Sequence, residues 1–136
     1  MKTVVMDTSA LLRLFIPDGP VPDGAEDAIR RVGQGSAAIL VPELALAEAG
    51  QVLLKKVAAR VLKPEEAREL LLDILALPLQ LFSHKPLLPR AFELAGAHGV
   101  TVYDALFLSL AEKYEAILVT ADDEMRKTAR KMLLTP

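Results

Sequence analysis

Four short apolar runs punctuate the chain at residues 2–6 (KTVVM), 37–41 (AAILV), 79–82 (LQLF) and 117–119 (ILV), and longer segments with helical spacing fill the intervals between them. Runs this short that are rich in Val, Ile and Leu suit strands buried on both faces. Their alternation with helices predicts the α/β class: a parallel sheet of four strands, or five if residues 132–134 add one, with helices on both faces. Pro17, Gly19, Pro20, Pro22 and Gly24 mark a loop after the first helix, and Pro42 is placed to open a later helix as its first-turn proline. Two helices, over about 42–61 and 64–76, fit between the second and third strands, the latter starting at KPEE, and they predict a helical hairpin. With no internal repeat, low-complexity tract or linker, residues 1–136 read as a single domain.

Composition narrows the functional classes. The absence of cysteine excludes a disulfide scaffold and a thiolate metal site. The longest apolar candidate for a membrane span, LLLDILALPLQLF, is broken by Asp73 and Pro78 well short of the roughly 18 residues required, and the N-terminus lacks the pattern of an export signal. A soluble, cytoplasmic protein is expected. A net charge of −2, from 16 basic and 18 acidic residues, gives no overall attraction for nucleic acid, so any such binding needs a local basic patch. The 52% hydrophobic content is high for a domain of this size and points to a surface covered by another subunit.

The acids carry the chemistry. Right-handed crossovers in a parallel sheet gather helix N-termini at the carboxyl edge of the strands. Asp7 ends the first run and begins a helix, Asp104 (TVYDALFLSLA) lies in the first turn of the helix leading to the fourth, and Asp122 (ILVTADDEM) directly follows the fourth. Each suits a helix cap by itself, because a carboxylate accepts orphan backbone N–H bonds and complements the helix dipole. Taken together they are expected at one crevice, where carboxylates about 5 Å apart repel by about 3 kcal/mol per pair at an effective dielectric of 20 unless a cation is present. With oxygen donors and no cysteine, Mg²⁺ or Mn²⁺ fits better than zinc, and His84 and His98 read as ordinary loop or helix-end polarity. Glu48 is a fourth acid in PELALAEAGQVLLKK, but a helical wheel aligns it with Gln51 and Lys55, opposite Leu46, Leu53 and Val57, which by periodicity alone is a solvated face. Basic residues able to hold a polyanion are Arg13, Lys55, Lys56, Arg60, Arg126, Lys127, Arg130 and Lys131, each of which also suits a solvated helix face or helix end. Tyr103 is the aromatic nearest the acids in sequence, and 4% aromatic content leaves little for base stacking.

The segments VVMDTSALLRLF, VPELALAEAGQVL, VTVYDALFLSLAEKY and ILVTADDEM, in that order and at those separations, resemble the PIN domain family, and among its members the VapC-type toxin ribonucleases. The likeness covers nearly the whole chain. It implies a three-layer α/β/α sandwich with strand order 3-2-1-4-5, and an acidic site of Asp7, Glu48, Asp104 and Asp122 that holds one or two divalent ions and cuts RNA. Ser9 and Thr120 are then supporting hydroxyls, and Asp123 is able to share the role of Asp122. The resemblance further implies a small antitoxin protein as partner and a homodimer.

Competing readings fit less well. A receiver domain needs an adjacent acid pair after the first strand and an Asp after the third, whereas Asp7 stands alone and LQLFSHK has none. A haloacid-dehalogenase-type phosphatase needs an acid where Ser9 stands, and no G-x-S-x-G elbow makes Ser9 a nucleophile. A PIN-fold module that binds RNA or protein without cleaving remains the alternative of a different class, against which the full acidic set argues.

Overall fold

The computed structural model describes residues 1–136. Strands β1 (Lys2–Met6), β2 (Ala37–Pro42), β3 (Leu79–Phe82) and β4 (Ile117–Val119) form one parallel sheet in the order β3-β2-β1-β4. The helices are α1 (Thr8–Arg13), α2 (Ala25–Gly33), α3 (Leu44–Ala58), α4 (Pro64–Leu75), α5 (Leu88–His98), α6 (Val102–Lys113) and α7 (Asp123–Lys131). Val4, Val5 and Met6 on β1 are all fully buried, so side chains on both faces of the central strand are covered, which makes three layers.

The order reverses direction at β1, which is bracketed by β2 and by β4 from the other end of the sequence. In a parallel sheet this reversal opens a crevice at the carboxyl ends of the two diverging strands. Asp7 follows β1 directly, and Asp122 stands three residues after the end of β4.

Two apolar clusters support this edge. The larger surrounds the sheet and includes Phe107, Leu108 and Leu110 of α6. The smaller joins α1, α3 and α4 through Leu12, Ile16, Ala49, Leu53, Ala67 and Ile74, and it seats the helical hairpin. Alanines at 45 and 49 are fully buried on α3, and such small side chains let α3 come close to α1. On the other side, Arg90 of α5 grips Glu112 of α6 in a bidentate pair of 2.7 and 3.0 Å. Gly99 caps α5 in the left-handed conformation (φ 66°), and the chain turns 113° into α6.

The structure differs from the sequence expectation at two places. Residues 132–134 form no fifth strand: α7 runs to Lys131, and Leu133 adopts φ 60°, a left-handed geometry that a strand excludes. A single bond remains, from the Leu118 N–H to the Leu134 carbonyl at 2.7 Å. Pro42 is the last residue of β2 instead of a first-turn proline, and α3 begins at Leu44 behind Glu43. The imidazole Nε2 of His84 accepts the Leu44 N–H at 2.9 Å, a cap supplied from beyond the end of β3. No single helix is long and apolar enough to cross a membrane.

Candidate active site

Asp7, Glu48, Asp104 and Asp122 line one cleft of about 100 Å³, with Thr8 and Ser9 on its wall and Phe107 and Met125 as its apolar part. Three of the four are placed by helix starts. Asp7 is the N-cap of α1, its Oδ1 accepting the Ala10 N–H at 3.0 Å, and Asp122 is the N-cap of α7, its Oδ1 accepting the Met125 N–H at 2.9 Å. Asp104 occupies the first turn of α6, where its own N–H donates to the capping hydroxyl of Thr101 at 3.0 Å.

Hydroxyls weave Asp7 and the β4 end together. The Ser9 hydroxyl donates to Asp7 Oδ1 at 2.6 Å and its oxygen accepts the Ala121 N–H at 2.9 Å. The Thr120 hydroxyl donates to Asp7 Oδ2 and accepts the Asp122 N–H at 3.0 Å. Asp7 is buried, and donors on both carboxylate oxygens offset part of the cost of burying it.

Glu48 reaches the cleft from α3, where the Thr8 hydroxyl donates to its Oε1 at 2.7 Å. The solvated-face expectation from periodicity therefore fails at this residue: Glu48 is half-buried between α1 and α3 while Gln51 and Lys55 on the same stripe are exposed. Sequence reasoning missed Thr8 altogether. Its only signal in the sequence is a hydroxyl residue directly after Asp7.

The electrostatics are those of crowded acids. Burial pushes the Asp7 carboxyl above the usual Asp range against the pull of Ser9, Thr120 and the Ala10 N–H, and the charge of Asp122 pushes the same way as burial. Glu48 is raised by burial, and further by Asp104 and Asp7, against the hydrogen bond from Thr8. Asp104 is raised by burial and then by Asp122, with the Thr101 hydroxyl opposing. Each of these shifts disfavours a second negative charge in the cleft. That is the condition a cation relieves.

The donors are all hard carboxylate oxygens, with no histidine or cysteine among the lining residues, so the chemistry of the set fits Mg²⁺ or Mn²⁺. As the side chains stand, no three acids are gathered tightly enough to enclose an ion. Closure onto one requires rotation of the less restrained carboxylates.

Other sequence candidates fall outside the cleft. Asp123 is exposed and ion-pairs with Arg126 at 2.6 Å, so it does not share the position of Asp122. Tyr103 is exposed and does not line the cleft; Phe107, one turn further along α6, is the aromatic that does. Lys56 pairs with Asp18 at 2.7 Å, Lys127 with Glu124 at 3.2 Å, and Arg13 donates to the Pro20 carbonyl at 3.2 Å. Lys55 and Arg60 are exposed on the far part of the hairpin, and Arg60 adopts a left-handed φ of 60° just after α3.

A family model described as PIN domain matches residues 4–131. The chain belongs to the PIN domain family. Its sequence is 36% identical to "Ribonuclease VapC3" of Pyrobaculum aerophilum, over all of both chains, and 32% identical to "Ribonuclease VapC1" of Mycobacterium tuberculosis, over 79% of this chain and 89% of that one. Among solved structures, PAE2754 from Pyrobaculum aerophilum superposes with a TM-score of 0.71 at 25% identity, covering 98% of this chain and 87% of that one. VapBC2 from Rickettsia felis, crystallised with a DNA fragment from its promoter, gives 0.64 at 19% identity over 93% and 92%. In this PIN domain the matched residues span all four strands and every acid of the cleft.

Proposed function

We propose that this PIN domain is a divalent-metal-dependent endoribonuclease of the VapC type, the toxin of a toxin–antitoxin pair. The observation that carries the reading is the four-carboxylate cleft at the carboxyl edge of β1 and β4, in a chain alike along its whole length to a protein named as a ribonuclease. Asp7, Glu48, Asp104 and Asp122 are the residues that hold Mg²⁺ or Mn²⁺, and Ser9, Thr120 and Thr8 orient them. The ion, when bound, supplies Lewis acidity that activates water and offsets charge on the phosphate and the leaving oxygen.

The remaining roles belong to the protein. Ser9 and Thr120 keep both oxygens of Asp7 hydrogen-bonded, so its ionised form is pre-aimed at the cleft. Phe107 and Met125 present apolar surface beside the carboxylates, which lowers the local dielectric and strengthens every charge interaction there. No side-chain nucleophile is needed, and the Ser9 hydroxyl is already committed to Asp7 and Ala121.

An antitoxin partner is supported by likeness to VapBC2 at the level of the fold, and the setting of this reading is the cytoplasm. Exposed Leu88 and Phe92 on α5, Leu54 on α3, and Leu72 and Leu75 on α4 leave apolar surface for a homodimer and for that partner. Incubation of wild type and Asp7→Asn with an RNA panel in Mg²⁺, Mn²⁺ and EDTA tests the reading. Cleavage by wild type with either metal, lost in EDTA and in Asp7→Asn, is expected; a metal-independent cut retained by Asp7→Asn would refute the site.

A further inference from the structure

The acid cleft is too small for its substrate. Sites that enclose an organic ligand occupy roughly 300–1,000 Å³, whereas this one is about 100 Å³, room for a phosphate and its ions only. The rest of an RNA strand must lie elsewhere, and the fold supplies a larger space next door. A cleft of about 530 Å³ is bounded by the loop of residues 20–23, by Leu118 and Thr120 of the β4 edge, by Arg126 and Arg130 of α7, and by Thr135 and Pro136.

Thr120 lines the larger space and is joined to the smaller one through Asp7. Its hydroxyl donates to Asp7 in the acid cleft, while its carbonyl accepts Arg126 Nη2 at 2.9 Å beside the larger one. Arg126 and Arg130 stand four and eight residues along the chain from Asp122, which at 1.5 Å per residue sets them about 6 and 12 Å along the helix from that acid. The two arginines differ in what they already hold. Arg126 is engaged by Thr120 and by Asp123 at 2.6 Å, and so is fixed in place. Arg130 has no ion pair and no side-chain hydrogen bond, although it is one turn away on the same face of the same helix. Asp23 is the one acid on the cleft wall, set against two guanidinium groups.

Resting on the ribonuclease reading above, we propose that this second cleft is the backbone subsite for RNA next to the scissile phosphate, with Arg130 as the residue that grips a flanking phosphate and Arg126 as the anchored guanidinium between the two clefts. A planar guanidinium with free N–H donors is suited to bidentate contact with phosphate. The assignment gives a chain of net charge −2 one unpaired positive charge beside the site, that of Arg130, since Arg126 is already paired with Asp123. Of the basic residues considered from the sequence, it selects Arg126 and Arg130 because these two line the larger cleft.

The test measures binding of a fluorescent single-stranded RNA across a salt series, in the uncleaving Asp104→Asn background, with Arg130→Gln, Arg130→Lys and, on the distant α4, Arg68→Gln. Arg130→Gln is expected to weaken binding about three- to tenfold and to reduce the slope of log K against log salt by about 0.7, the value for one lost contact to a single-stranded phosphate. Arg130→Lys should keep the slope, and Arg68→Gln should change nothing. Equal losses in Arg68→Gln and Arg130→Gln, no loss in Arg130→Gln, or no RNA binding in the background protein would each overturn the subsite. The two readings separate cleanly: if wild type binds RNA with the Arg130 dependence but never cuts it, the subsite stands and the ribonuclease falls. If wild type cuts and Arg130→Gln binds and cuts equally well, the reverse holds.

Discussion

The acid cleft has two unlike walls. On the β1–β4 wall, Asp7 and Asp122 cap helices, and Ser9 and Thr120 tie them to each other through a closed set of hydroxyl and backbone bonds. On the α3–α6 wall, Glu48 is held by one hydroxyl, and the hydrogen bond at Asp104 uses its backbone N–H and leaves the carboxylate to turn. The first pair serves the fold as well as the site, while the second serves the site almost alone. This division reconciles two facts: the acids share a cleft, yet no three of them enclose a point. On the proposed reading the fixed wall would supply the preset carboxylates of a metal site, and the looser Glu48 and Asp104 would turn to complete it.

The largest effect should come from removing the fixed wall's central acid. Asp7→Ala takes away a helix cap and strands the Ser9 and Thr120 hydroxyls, so denaturant unfolding should show a loss of about 2 kcal/mol together with abolished cleavage. Asp104→Ala should abolish cleavage equally while leaving metal-free stability unharmed. Similar stability losses in both variants would erase the distinction between the walls.

Metal should act next in size. With about 10 mM Mg²⁺ and a dissociation constant of about 1 mM, linkage gives about 1.4 kcal/mol, a rise of about 5 °C in melting temperature for a domain of this length. Asp104→Asn should lose most of that rise. An identical wild-type melting curve in EDTA and in Mg²⁺ would count against the centre.

Thr8→Val sharpens the comparison on the looser wall. The variant keeps the shape of the side chain but deletes the donor to Glu48, at a cost of about 1 kcal/mol, and Mg²⁺ affinity, read from the thermal shift, should fall about fivefold. Thr8→Ser should restore both. A Thr8→Val protein with wild-type Mg²⁺ affinity would show that Glu48 needs no guide.

The smallest effect is a stability gap that closes with falling pH. The folded-state carboxyl of Asp104 is raised by burial and by Asp122, so the stability tied to its protonated form is fully present below the unfolded Asp value and is lost as pH rises through the raised one. Metal-free Asp104→Asn, which never ionises there, should therefore melt slightly above wild type near neutral pH, by a margin that solvent screening at this exposed position keeps small, and the gap should close as the pH falls to the unfolded Asp value of about 4. Saturating Mg²⁺ should reverse the order. A gap that persists in acid would assign the gain to packing instead of charge.

Much of this arrangement was legible in the chain. Asp7, Asp104 and Asp122 could be placed because their position at a strand end or helix start is a local property, and crossover handedness carries such positions to one edge. Glu48 could not be placed by period, because its surroundings are decided by the approach of α1 to α3 over Ala45 and Ala49, a tertiary event that leaves the wheel unchanged. The sheet was readable strand by strand except at 132–134, where an apolar run was consumed in the turn that ends α7 and Leu133 took a left-handed backbone. The basic residues were legible as a list only. Which of them keep a free charge depends on pairings such as Lys56 with Asp18 that link distant parts of the sequence.

The pairing of β1 with β4 also fixes when the cleft can exist. Val4 and Ile117 are partners across the sheet, so the fixed wall closes the longest loop between paired strands, a contact of high order that is entropically expensive and slow to form. A growing polypeptide that has not yet delivered residues 117–122 carries Asp7 with neither the Thr120 hydroxyl nor the Asp122 carboxylate beside it. The acid centre is thus a property of a chain that has delivered its fourth strand, and on the proposed reading an RNA-cutting protein lacks its assembled site until that strand pairs with the first.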